Sequence, residues 1–302
     1  MPAEHDPLPL LEETSPPIDV PPPLRVHACT APVRALSVAL QALAAGNLLY
    51  IAAHVVHDSV EGTESAPPLV VALGIGVFSG VPLAAVALLR RLLAATVDVQ
   101  PPLLVLTLRH ARFEIPLASI TAVRPWRLPL PGPGLGLEMK SGRRFRHGLQ
   151  LADPGALLSA LGAALPSAAS ALGHASVAYA GARHRARRGR AFWIVKFVLL
   201  PLVLTVILFR LHQLIMYGGP FGQYRLFGLA AYLQSFGAFW AGTLGGLVLY
   251  AALWRLLAEA AALLLTWALP SRARGVRRAV EILCLIAYFG LVPAYVLARL
   301  LL

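Results

Sequence analysis

The sequence predicts a mainly α-helical, multi-pass membrane protein that carries one small antiparallel β domain closed by a C-terminal helix. Three observations predict it. Of the 302 residues, 58% are hydrophobic and only 13% charged, against about a quarter charged in soluble domains; mean hydropathy is +0.70. Five segments are apolar over the length of about 20 residues that a helix needs to cross a hydrocarbon core. Between the second and third of these lies a polar, strand-forming island, residues 97–166.

In chain order, residues 1–33 are rich in proline and in acids, with Glu4, Asp6, Glu12, Glu13 and Asp19. They lack the basic-then-apolar order of a cleavable signal, and their composition predicts a disordered tail. Spans one and two are expected at 34–57 and 68–89, inside a helical unit covering 34–93. The loop DSVEGTESAPP between them holds Asp58, Glu61 and Glu64 and no Lys or Arg, which places it outside. From residue 90 to 190 there are fifteen Lys or Arg against four acids, which places the island in the cytoplasm.

Residues 192–302 hold the remaining spans, expected at 192–217, 229–254 and 280–302. The connection GGPFGQYRLFG carries one arginine, whereas the next contains Arg272, Arg274, Arg277 and Arg278. The N-terminus is then cytoplasmic and the C-terminus outside. The apolar run 229–269 is about 41 residues long, too long for one perpendicular helix. Arg255 and Glu259 stand one turn apart, where they can pair. This run reads as one span with an interfacial helical extension over 255–269; a sixth span is the alternative. Gly76 with Gly80, and Gly242 with Gly246, have the small-xxx-small spacing that lets helices approach closely. Pro82, Pro201 and Pro293 are expected to kink their spans.

Within the island the pattern changes to short strands at 103–109, 112–115, 119–128, 135–140 and 143–151, separated by turn residues such as PGPG at 131–134. Asp153 followed by Pro154 reads as the cap and first position of a closing helix. Residues 167–191, Ala-rich and then basic, read as a linker.

The segments RFEIPLASITAV and LGLEMKSGRRFRHGLQL, and the Asp-Pro that opens the last helix, resemble the bacterial pleckstrin-homology-like domains that occur as membrane-associated modules. The resemblance covers about 70 of the 302 residues. It implies a module for binding or assembly rather than catalysis, and with the Ala/Leu/Arg-rich composition it implies a bacterial inner membrane. On such a module Arg124, Arg127, Lys140, Arg143, Arg144 and Arg146 could meet anionic lipid head groups, or be ordinary positive-inside charges.

The net charge of +12 is explained by the positive-inside bias, and the basic run 183–190 lacks the interleaved aromatics of a nucleic-acid site. Cys29 and Cys284 form no paired-cysteine motif. One polar group could carry chemistry: His54, His57 and Asp58 at the end of the first span, with His212 near the same end of the third. Imidazoles with a carboxylate suit a metal or, on separate helices, a haem; the alternatives are a proton or cargo path and side chains that merely reach interfacial water. Lys196 and Glu281 read as snorkelling residues. The expectation is a non-enzymatic inner-membrane protein whose β module binds a partner protein in a membrane complex; the alternative is a transporter or a membrane metal or haem protein using the outer histidines.

Overall fold

The structure, a computed structural model, describes residues 23–62 and 67–301. The tail up to residue 22, and Glu64 in the loop between the first two spans, lie outside the described residues.

Leu24–Cys29 forms strand β1, which corrects the expectation of a disordered tail through residue 33. Its alternation Leu-Arg-Val-His-Ala-Cys turns Val26 and Ala28 into the core. The strand is hidden in the sequence because its partners are far along the chain. The long helix α1 (Ala31–Glu61) leads away from it, and α2 (Pro68–Ile75) and α3 (Val81–Leu92) lead back to β2 (Ala94–Gln100). There Leu24 lies opposite Val97 and His27 opposite Ala94, and the Ala28 N–H donates to the Leu93 carbonyl at 3.0 Å. A two-span hairpin is thus inserted into a β-hairpin. Both of its open ends are held side by side at the sheet.

Strands β3 (Leu103–Leu108), β4 (Arg112–Pro116), β5 (Ile120–Pro125), β6 (Gly134–Met139) and β7 (Gly148–Gln150) complete an antiparallel sheet of seven, in the order β4-β3-β2-β1-β7-β6-β5. The β1 strand is its centre. The expected strand at 143–151 is shorter than the sequence suggests: after a turn at Gly142, where φ is +75°, only an isolated bridge joins Arg144 to Glu138 before β7 begins. Helix α4 (Pro154–Gly162) starts as expected, with the Asp153 carboxylate accepting from the Gly155 N–H at 3.0 Å. Leu157, Leu158 and Leu161 are buried against the sheet.

The stretch expected as a linker, 167–191, is largely helical. Helices α5 (Pro166–Ala171) and α6 (Ala175–Arg185) put Ala168, Ala171 and Val177 into the same core as the strands. Alanine has the highest helix propensity, but a face of alanines has no strong apolar period and reads as neutral in sequence. The module therefore extends to residue 185.

The third long helix runs through α7 (Arg190–Ile194) and α8 (Leu200–Tyr217). Helix α9 (Gly222–Ala268) bends at Gly228, whose φ of +80° favours glycine. Beyond that point about 40 residues continue without a break, spanning roughly 60 Å. The expected extension 255–269 is continuous with this helix as far as Ala268, and no turn creates a sixth crossing among the described residues. Helices α10 (Ala273–Leu285) and α11 (Val292–Leu301) form the last long element, so five helices are long and apolar enough to cross a membrane. The arginines expected in a connection, Arg274, Arg277 and Arg278, lie on α10 itself.

The three span prolines share one device. Pro82, Pro201 and Pro293 each follow a π-helical segment, Gly76–Gly80, Val195–Leu199 and Ile286–Leu291 respectively. A proline ring clashes with the carbonyl four residues earlier, and widening the preceding turn relieves that clash. The first segment is clasped: Ser79 donates to the Ala44 carbonyl at 3.0 Å and receives the Asn47 amide at 2.8 Å. The glycines behave differently from their spacing. A Cβ on Gly76 or Gly246 would meet nothing within 4 Å, whereas Gly245 sits against Ala72; close approach of α2 and α9 uses that pair.

Candidate functional site

The module is fixed to the helices at two places. At the first, the PLPGPG loop turns its backbone to the first two spans. The Leu130 carbonyl accepts from Arg34 Nε at 3.1 Å, and the Pro131 carbonyl accepts from Gln41 at 3.3 Å and Arg90 at 2.5 Å. Trp126 lies flat over Gly134 and Gly148, where any Cβ would come within 2.8 Å of the indole, and the Arg34 guanidinium stacks 3.8 Å above it.

The second place is a charged cluster between α6, α9 and α10. Glu259 takes both terminal nitrogens of Arg277 (2.9 and 3.0 Å), Arg255 at 2.7 Å and Arg183 at 3.8 Å. Glu281 takes Arg277 at 2.6 Å and Arg255 at 2.9 Å. Tyr179 on α6 donates its hydroxyl to Glu259. Burial and the adjacent Glu259 charge push the Tyr179 phenol up to about 12, so it stays a donor at neutral pH. Ala258, Ala262 and Val280 pack around it. The Arg255–Glu259 pair is legible as an i,i+4 spacing; its convergence with α6 and α10 is not.

Between these two places lies a cavity of about 620 Å³. Its sheet side is β1 and β7 with the PGP turn, through His27, Gln150 and Gly132. Cations crowd the lining: Arg90, Arg183, Arg187, Arg188, Arg255 and Arg277, with Lys196 below them, facing the single carboxylate Glu281. Arg183 and Arg187 both repel Arg90. Burial and the Arg90 charge push the His27 imidazole below its usual range. Aromatic rings are interleaved with these cations, Phe192, Trp193, Tyr250, Trp254, Tyr288 and Phe289, and the Arg188 guanidinium lies 5.0 Å over the Phe192 ring. The geometry of the rings is held by Tyr288, which donates to the Lys196 carbonyl at 2.8 Å, and by Tyr250, which donates to the Ala287 carbonyl at 3.0 Å. The Lys196 ammonium lies 4.3 Å from the Tyr288 ring centroid. Lys196 and Glu281, expected as isolated snorkelling residues, share one chamber.

The six basic residues expected on the module are all exposed, but none lines this cavity. They do not form a single face. Arg124 at 2.8 Å and Arg144 at 3.7 Å share Glu138. Lys140, Arg143 and Arg146 gather around the β6–β7 turn, and Arg127 lies beyond the other end of β5. Near that turn Phe113 and Phe145 meet edge to face at 5.9 Å, and His147 is pushed below its usual range by burial and Arg146.

The outer histidines are engaged separately. His54 packs edge-on against Tyr50 at 4.4 Å, and His57 lies 3.4 Å from Glu61. His212 packs on Phe239 at 4.8 Å. No group of three His, Cys, Asp or Glu arranged to hold a metal occurs among the described residues, so the HxxHD spacing of His54, His57 and Asp58 is not completed by His212 into a ligand set. Side chains that lie far apart on separate helices meet only if the bundle brings them together.

No family model, curated protein or solved structure matches this chain.

Proposed function

We propose that this is a non-enzymatic protein of a bacterial inner membrane whose pleckstrin-homology-like module faces the cytoplasm and binds a partner protein, organising a membrane complex. One observation carries the reading. Lys140, Arg143 and Arg146 project from the β6–β7 turn without a carboxylate partner among the described residues, on a module held to the spans by the Glu259 cluster. Exposed charge on an immobilised scaffold favours recognition of an acidic surface, because complementarity steers association at little ordering cost. The N-terminal strand lies in the sheet and so on the same side of the bundle as the module, which accords with the positive-inside orientation.

The test is co-purification in mild detergent, with wild type beside a variant carrying Lys140→Glu, Arg143→Glu and Arg146→Glu. A stoichiometric protein captured by wild type and lost from the variant supports the assembly role. A chain that purifies alone in both forms overturns it.

A further inference from the structure

The cavity between module and spans is unlike the turn invoked above. Its volume of about 620 Å³ lies within the range of small-molecule sites, and its lining combines cations with aromatic rings. Both nearby carboxylates are already engaged: Glu259 and Glu281 are shared by Arg255 and Arg277. Arg90, Arg187, Arg188 and Lys196 have no carboxylate partner among the described residues. Arg277 is 4% exposed, and its Nε–H, like that of Arg90, is buried with no acceptor. Arg187 and Arg188 are exposed and Arg90 and Lys196 half-buried, and a cleft in which cations outnumber carboxylates concentrates anions.

The geometry also says where such an anion lies. Arg90 closes the second span, Arg187 and Arg188 immediately precede the third, and the aromatic rings come from the first turns of the third helix with the facing parts of α9 and the last helix. Residues at the ends of helices long enough to span are where a bilayer places its phosphates above its chains. We propose that the cavity binds the phosphate of an anionic amphiphile, held by Arg187, Arg188 and Lys196 with Arg90 beside them, with its apolar chain along Phe192, Trp193 and Tyr288. Guanidinium groups suit a phosphate because they donate two parallel hydrogen bonds. The inference rests on the binding role proposed above and assigns it a second ligand.

The test is native mass spectrometry of the detergent-solubilised full chain, titrated with phosphatidylglycerol, with phosphatidylcholine and with inorganic phosphate. One phosphatidylglycerol per chain is expected to bind in preference to phosphatidylcholine, with inorganic phosphate much weaker. Arg187→Gln with Arg188→Gln, both exposed positions, is expected to weaken phosphatidylglycerol by about 30-fold, taking roughly fivefold for each charge removed. Trp193→Ala is expected to weaken the lipid and leave inorganic phosphate unchanged. Equal binding of inorganic phosphate and lipid would assign the site to a soluble phosphate compound and overturn the amphiphile. Equal, multiple adducts on wild type and the double variant would overturn the site itself. Because the turn at Lys140–Arg146 is untouched in these variants, they are expected to lose lipid and keep partner capture; a wild type that captures the partner but binds no phosphatidylglycerol removes only this inference, and one that binds the lipid but captures no partner removes only the assembly role.

Discussion

At the end of the bundle away from the sheet, Gln213 and Gln223 are buried neutral amides: Gln213 donates to Gln223 at 2.7 Å, the Gln223 N–H returns a bond at 3.2 Å, and Gln223 donates to Ser235 at 2.7 Å. At the sheet end, Glu259 and Glu281 are surrounded by Arg183, Arg255 and Arg277, and Arg277 still keeps an unpaired Nε–H. The outer network is neutral and closed on itself, and it joins the end of α8 to the start of α9. The inner network is charged, unbalanced and joined to a cavity. Satisfied amides stabilise a turn and ask nothing further, whereas surplus charge in a confined space is costly unless something binds there. The difference separates a polar site that is closed on itself from one that adjoins a cavity, in a chain where both are half hidden in apolar sequence.

The contrast can be broken by mutation. The largest loss is expected for Arg277→Met, which takes the most buried cation from two carboxylates and leaves both to Arg255: about 3 kcal/mol of stability, read as a fall in melting temperature of the detergent-solubilised protein. Next is Tyr179→Phe, which removes a hydrogen bond to a carboxylate and should cost about 1.5–3 kcal/mol. It also carries a pH signature. The Tyr179 pKa is raised from 10 to about 12, so its contribution is complete below pH 10 and is lost as pH rises through 12; the variant should lack that alkaline decline. Gln213→Leu, which leaves the Gln223 side-chain carbonyl and backbone N–H unpaired, is expected to cost about 1–3 kcal/mol and to leave phosphatidylglycerol binding unchanged. A loss of lipid binding in that variant would erase the distinction between the two ends. The smallest effect is expected for Arg34→Gln, which removes the stacking on Trp126 and should cost about 0.5–1 kcal/mol, measurable by the same melting curves.

Parts of the inner site are legible in the amino-acid sequence. The Arg255–Glu259 spacing announces a pair, the basic run 183–190 announces a charged surface, and the PGPG turn announces a break between strands. What each is for does not follow from its own residues. The turn is a row of carbonyl acceptors for Arg34, Gln41 and Arg90, and the basic run is one wall of a chamber. The histidine spacing at His54 and His57 is as visible as any of these and leads to no ligand set among the described residues, because a local spacing guarantees a shared helix face and not a third partner.

The sequence by itself determined that five helices are long and apolar enough to span, that the island between them forms strands β3 to β6, and that Asp153 opens a helix. These are properties of runs of roughly 5 to 25 residues, carried by hydropathy, by a period of two and by local capping chemistry. Only the tertiary structure decided that Leu24–Cys29 is the centre of the sheet, that α6 clamps the module to α9 and α10, and that arginines from four separate segments share one cavity. Each of those depends on groups far apart in the chain meeting once the sheet and the bundle have formed, and no local pattern records which distant residue a side chain will face.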